Sequence, residues 1–153
     1  MIGVDLVDLK RAELDSNWKR KRYLQKIFTK EEQELICNYN DSNLMVWILW
    51  SMKEAAYKIW SRNTGHRVYA PTSLRCENIQ ITEFINGTVT HLDRQYFTQS
   101  NLNEDYVCTI ATTERSQLTN IKVNLSNSEL EYSQSAPTQS RSHHGRYLVT
   151  AWL

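Results

Sequence analysis

The chain opens on an alternation of apolar and polar positions. Ile2, Val4 and Leu6 fall on one face and Gly3, Asp5 and Val7 on the other, which predicts a strand over 2–9. Between 10 and 30, Trp18, Tyr23, Leu24 and Ile27 are interleaved with Lys10, Arg11, Lys19, Arg20, Lys21, Arg22, Lys26 and Lys30, the pattern of a helix with an apolar stripe and a basic surface. Thr29-Lys30-Glu31-Glu32 has the form of a capping box and starts a helix over about 30–38. The polar stretch 38–43 breaks the chain and can cap the next element. That element, 44–61, begins with seven consecutive apolar residues, Leu44 to Trp50, and then turns mixed, so its first half is expected to be buried on several sides. Asn63-Thr64-Gly65 supplies its stop. Beyond Pro71 the period changes to two, with strands expected at 76–84, 87–92 and 105–112, and a further one near 119–125. Asn86-Gly87 reads as the turn of the first hairpin. From 126 to 142 Ser, Gln, Asn and Thr dominate and predict a linker, after which 146–152 can dock as a last strand.

Composition narrows the class. With 153 residues the chain suits one domain with a real core. Its 18 Lys and Arg nearly cancel 17 Asp and Glu, which argues against a surface that coats nucleic acid or membrane. No apolar run approaches the roughly 18 residues of a membrane span. The first residues, Met1 to Asp5, do not read as a secretory signal. Cys37, Cys76 and Cys108 are too scattered for a disulfide framework or a zinc site. The expectation is a cytoplasmic domain.

Two acids stand in surroundings wrong for a solvated surface. Asp5 lies inside the apolar first strand, and Glu54 lies one helical turn from Trp50 and Tyr57. A buried carboxylate needs a partner, and a hard divalent cation is one, taking one or two carboxylates and completing its shell with phosphate oxygens. A plain i,i+4 ion pair between Glu54 and Lys58 is the other reading.

The two acids lie within a longer pattern. Gly3-Val4-Asp5, Phe28-Thr29-Lys30-Glu31-Glu32 and the nine-residue Trp50-Ser51-Met52-Lys53-Glu54-Ala55-Ala56-Tyr57-Lys58 resemble, in order and separation, three motifs of the 4′-phosphopantetheinyl transferases, in particular the short holo-acyl-carrier-protein synthase type. The last motif is the specific one. The resemblance covers 1–125, followed by the linker 126–142 and a C-terminal segment 143–153. It implies an α+β fold, with a small antiparallel sheet packed on a long buried helix plus shorter helices.

The resemblance also implies a reaction: Mg²⁺-dependent transfer of 4′-phosphopantetheine from coenzyme A to a serine of an acidic apo carrier protein of fatty-acid, polyketide or peptide synthesis, with release of adenosine 3′,5′-bisphosphate. Mn²⁺ can take the same ligands. By this likeness Asp5 and Glu54 are the metal ligands, and Lys53 and Lys58 neutralise phosphate, Lys58 on the diphosphate. Trp50 lines the same face, and Asp8 is a further acid near the metal or a strand-end acid. Gly65, His66 and Arg67 form a loop near the nucleotide, Arg67 or His66 meeting the 3′-phosphate. Arg11, Lys10 and Arg20 dock the carrier. The base that takes the serine proton is Glu54 or a metal-bound water. One departure is the lack of a histidine in the strand around Cys108, for which His66 or His91 are possible substitutes. The short members assemble as trimers, so a cyclic homo-oligomer is expected, with the 44–50 run covered by assembly. A non-catalytic binder of CoA or carrier, and a small nucleic-acid-binding module built on 10–30, are the alternatives.

Overall fold

A computed structural model describes residues 1–127 and 139–153. The fold is mixed α+β. Strands β1 (Ile2–Asp8), β2 (Leu74–Ile81), β3 (Ile85–His91), β4 (Arg94–Leu102) and β5 (Tyr106–Thr112) form an antiparallel sheet in the order β1-β5-β4-β3-β2. Helices α1 (Leu9–Asp15), α2 (Tyr23–Ile27), α3 (Lys30–Asn38) and α4 (Ser42–Thr64) follow β1, and α4 packs along the sheet. A second sheet, order β6-β8-β7, is built from β6 (Lys122–Asn127), β7 (Ser140–His144) and β8 (Tyr147–Trp152), and its β7 and β8 lie against β1.

Strand β1 is buried along all seven residues because it has a layer on each side. Ile2, Val4 and Leu6 pack with Cys108, Ile110, Val149 and Ala151 beneath the second sheet. Gly3 faces α4, where a Cβ would lie 2.0 Å from the Ala55 carbonyl oxygen, so only glycine permits this approach. The alternation read from the sequence is therefore the alternation in the fold, and it puts Asp5 on the helix side.

Helix α4 starts where Asp41 accepts from the Leu44 amide and ends at Gly65 in the left-handed region. Met45 to Leu49 are buried within this single chain, while Leu44 and Trp50 at the ends of the run are half-buried. The capping box of α3 is complete, Thr29 and Glu32 each satisfying the other's backbone amide.

Several sequence expectations are corrected. The segment 10–30 is two short helices, broken where Arg22 takes a left-handed conformation (φ 66°) after an Asn17 turn. A continuous helix would line up the like charges of Lys19 to Arg22 with basic neighbours one turn away. Asn86 and Gly87 are not a turn but lie within β3, opposite Gln99 and Thr98, and the chain reverses at 82–84. Gly87 is there for α4, since a Cβ would meet the Met52 side chain at 2.7 Å. Strand β4 carries no expected counterpart, because two of its inward positions are the polar Thr98 and Ser100. Of the expected linker 126–142, Ser126 and Asn127 end β6 and Ser140 to Ser142 belong to β7, while 128–138 lie outside the described residues. The last strand expected at 146–152 is present as β8, and it forms a hairpin with β7.

Candidate active site

Asp5 of β1 and Glu54 of α4 open into one cavity of about 430 Å³, walled by Trp50, Arg20, Tyr23 and His143 among others. Lys58, one turn beyond Glu54, donates to the Val4 carbonyl at 2.8 Å and to Asp5 Oδ1 at 2.9 Å. The i,i+4 alternative thus gives way to a pair across the helix–strand contact. Ser142 Oγ donates to the same Asp5 oxygen at 3.0 Å. Both donors sit on Oδ1, which leaves Oδ2 without a donor among the described residues.

Glu54 is half-buried, with its carboxyl pushed up to about 7. Burial is the main cause and the Asp5 carboxylate adds to it, outweighing the attraction of Lys58. The Tyr69 hydroxyl lies beside Glu54 and favours its anion, yet it is buried without a completed hydrogen bond. Burial and Glu54's charge hold Tyr69 itself well above the usual phenol range. Asp5 and Glu54 meet one lysine, Lys58, with Arg20 on the cavity wall, and a divalent cation would answer both carboxylates. Two carboxylates suit Mg²⁺, which keeps waters and substrate phosphates in its shell; among the described residues no cluster of three or more His, Cys, Asp or Glu offers an all-protein cage.

A model of the 4′-phosphopantetheinyl transferase superfamily matches residues 1–111. The chain belongs to this superfamily. No curated protein matches the sequence. The match spans β1 through nearly all of β5 and stops before β6, so the three-stranded sheet lies outside the matched residues.

Within this frame the expected site residues separate. Asp5, Glu54, Trp50 and Arg20 wall the cavity. Trp50 packs edge-on against Tyr69, with ring centroids 6.0 Å apart. Lys53 does not join them, and the expectation that it meets phosphate is corrected. It is wholly buried on the far side of α4, paired with Glu32 at 2.8 Å and donating to the carbonyls of Pro71 and Leu74. Consecutive helical residues point about 100° apart, so Lys53 and Glu54 serve different layers. Lys58 is on the expected face, but its ammonium is engaged with β1 and does not line the cavity.

Gly65 is the helix C-cap, His66 stacks on Trp60 at 5.9 Å, and Arg67 is exposed; none of the three lines this cavity. His91 packs against Trp60 and Ser73 and is likewise elsewhere. Lys10 pairs with Asp105 at 3.1 Å, Arg11 pairs with Asp15, and Arg20 lies over the Tyr23 ring, all three exposed. Asp8 is a buried anchor: Arg146 grips it with two donors at 2.9 and 3.1 Å, which holds its carboxyl well below the usual range. It also caps α1.

Sequence reasoning missed Ser142, His143 and His144, which line the cavity from the C-terminal hairpin. His143 and His144 bring imidazoles to this cavity, whereas the Cys108 thiol of β5 faces the other core and is pushed by burial to about 12. A Ser-rich composition hid them; the pair of adjacent histidines just before Gly145 was the available signal. A second cavity of about 260 Å³, between β4, β5 and β6, has no acid, lysine, arginine or histidine in its lining. Among the described residues no helix is long and apolar enough to cross a membrane.

Proposed function

We propose that this chain is a holo-acyl-carrier-protein synthase, a cytoplasmic enzyme that transfers 4′-phosphopantetheine from CoA to a serine of an acidic apo carrier protein. The observation that carries the reading is the convergence of Asp5 and Glu54 on one cavity, within a domain of this superfamily. Asp5 and Glu54 would hold Mg²⁺ or Mn²⁺, which supplies charge neutralisation on the diphosphate. In the reaction the serine oxygen forms a bond to the phosphopantetheine phosphorus, and the bond from that phosphorus to adenosine 3′,5′-bisphosphate breaks.

The chain's own residues position the partners. Lys58 fixes Asp5 against β1, and its contact with the diphosphate belongs to this reading through the family likeness alone. Arg20 and His143 face the anionic substrate from the cavity wall. Arg67, which lies outside this cavity, belongs to the reading as the 3′-phosphate contact through the family likeness alone. Glu54, whose carboxyl opens into the same cavity, is assigned the serine proton in this reading. Lys10, Arg11 and Arg20 present the basic surface to the carrier; their existing surface pairs are worth little and exchange readily. A homotrimer belongs to this reading through the family likeness alone, and sedimentation velocity tests it.

Intact-mass spectrometry of an apo acyl carrier protein incubated with the protein, CoA and Mg²⁺ tests the whole reading. A gain of about 340 Da that EDTA abolishes supports metal-dependent transfer. CoA binding with no mass gain on any carrier type supports a non-catalytic binder instead, a reading favoured by the Lys58 ammonium lodged on Asp5.

A further inference from the structure

The hairpin formed by β7 and β8 lies outside the superfamily match yet follows β1 almost residue by residue. Ser140 Oγ accepts from the Val4 amide at 2.9 Å and from Arg62 at 2.9 Å. Ser142 Oγ donates to Asp5 at 3.0 Å. His144 Nδ1 accepts from the Asp8 amide at 2.9 Å, and Arg146 grips the Asp8 carboxylate. The turn between the strands is shaped for this fit. Gly145 has φ +54°, and a Cβ there would lie 2.5 Å from Asp8 Oδ2.

A carboxylate turns easily about its last torsion, whose energy profile is broad and two-fold. Lys58 reaches Asp5 on a flexible four-carbon stem and alone restrains that rotation weakly. Ser142 is short, buried and carried by a strand docked at several points, so its donor is fixed in space. Two donors on Oδ1 turn Oδ2 away from both, as a ligand oxygen with no donor among the described residues. Hydrogen bonds of this kind orient metal ligands and set their affinity.

We propose that the C-terminal hairpin is a working wall of the site, with Ser142 the positioning residue that holds Asp5 for a divalent cation. The inference rests on the assignment of Asp5 and Glu54 as the cation's ligands.

The test is Mn²⁺ binding to the full chain in the presence of CoA, read as loss of the free-Mn²⁺ electron paramagnetic resonance signal. Ser142→Ala is expected to bind Mn²⁺ about tenfold more weakly, while Ser142→Thr, which keeps the hydroxyl, stays within about twofold of wild type. Ser140→Ala, which loosens the hairpin without touching Asp5, is expected to lower the melting temperature and leave Mn²⁺ binding within about twofold. Should Ser142→Ala not fold, Ser142→Cys, nearly isosteric and a weak donor, carries the same expectation. Unchanged binding in a folded Ser142→Ala, or equal losses in Ser140→Ala and Ser142→Ala, overturns the positioning role and leaves the metal assignment standing. Absence of Mn²⁺ binding by the wild-type protein with CoA overturns the metal assignment and this inference together.

Discussion

Glu54→Gln is expected to stabilise the protein while abolishing transfer, because the carboxylate is held where its charge is costly. Its carboxyl rises from an ordinary 4.5 to about 7, chiefly through burial and then through Asp5. The folded state therefore keeps the proton between these values while the unfolded chain has lost it, and stability falls as pH rises through the window. The stabilising share is complete below about 4.5 and gone above about 7. A shift of that size is worth about 3 kcal/mol. Glutamine has nearly the same shape and no charge, so the variant escapes the loss. Urea unfolding in EDTA of both proteins from about pH 4 to pH 8 is the assay, since the other titrating groups cancel in the difference. The curves should nearly coincide at the acid end and separate by about 3 kcal/mol at the alkaline end. That is roughly 6–12 °C in melting temperature for a chain of this size. A difference that stays flat across the range refutes the argument, and transfer retained by the variant refutes the assignment of Glu54 to the site.

Gly3→Ala drives a methyl into the Ala55 carbonyl of α4 and should cost about 3 kcal/mol or more, read as a lower urea midpoint. Lys53→Met leaves the Glu32 carboxylate buried without its cation, and a loss of about 3–5 kcal/mol is expected. A raised KM for CoA at unchanged stability would instead return Lys53 to the phosphates. The double variant Lys10→Glu, Arg11→Glu should raise the KM for the carrier, leave kcat nearly unchanged and flatten the dependence on salt. Unaltered carrier kinetics would move the docking surface elsewhere.

What the sequence made legible was local. The polar stretch 38–43, the apolar run from Leu44 and Gly65 marked α4 because cap and periodicity both act within a few residues. The capping box at Thr29 gave α3 for the same reason. The alternation in β1 put Asp5 on the side of Gly3, and the spacing from Glu54 to Lys58 put both on one face of α4. What was lost depended on distant packing. Thr98 and Ser100 face inward in β4, and the Ser100 hydroxyl meets that of Thr109 at 2.7 Å, so a hydrogen bond across strands stands where an apolar pattern was sought. Gly87 looked like turn chemistry until α4 lay across it. Lys53 stood within the most specific motif, and only the neighbouring α3 shows that its charge answers Glu32.

The missed hairpin follows from a question the sequence does pose. Strand β1 pairs with a neighbour on one edge only, yet its seven residues are all buried. Unpaired backbone groups in that position require partners from somewhere. Helix α4 provides some of them, with Arg62 on the Ile2 carbonyl and Lys58 on that of Val4. The amides of Val4 and Asp8 are left for side chains that arrive 136 residues later, Ser140 and His144. Serine and histidine are poor strand signals, and they are placed here for hydrogen bonding to an edge rather than for apolar burial. The same edge carries Asp5. Whatever holds the edge also holds the acid, so cation chemistry at Asp5 is coupled to the folding of a hairpin that the superfamily match does not include.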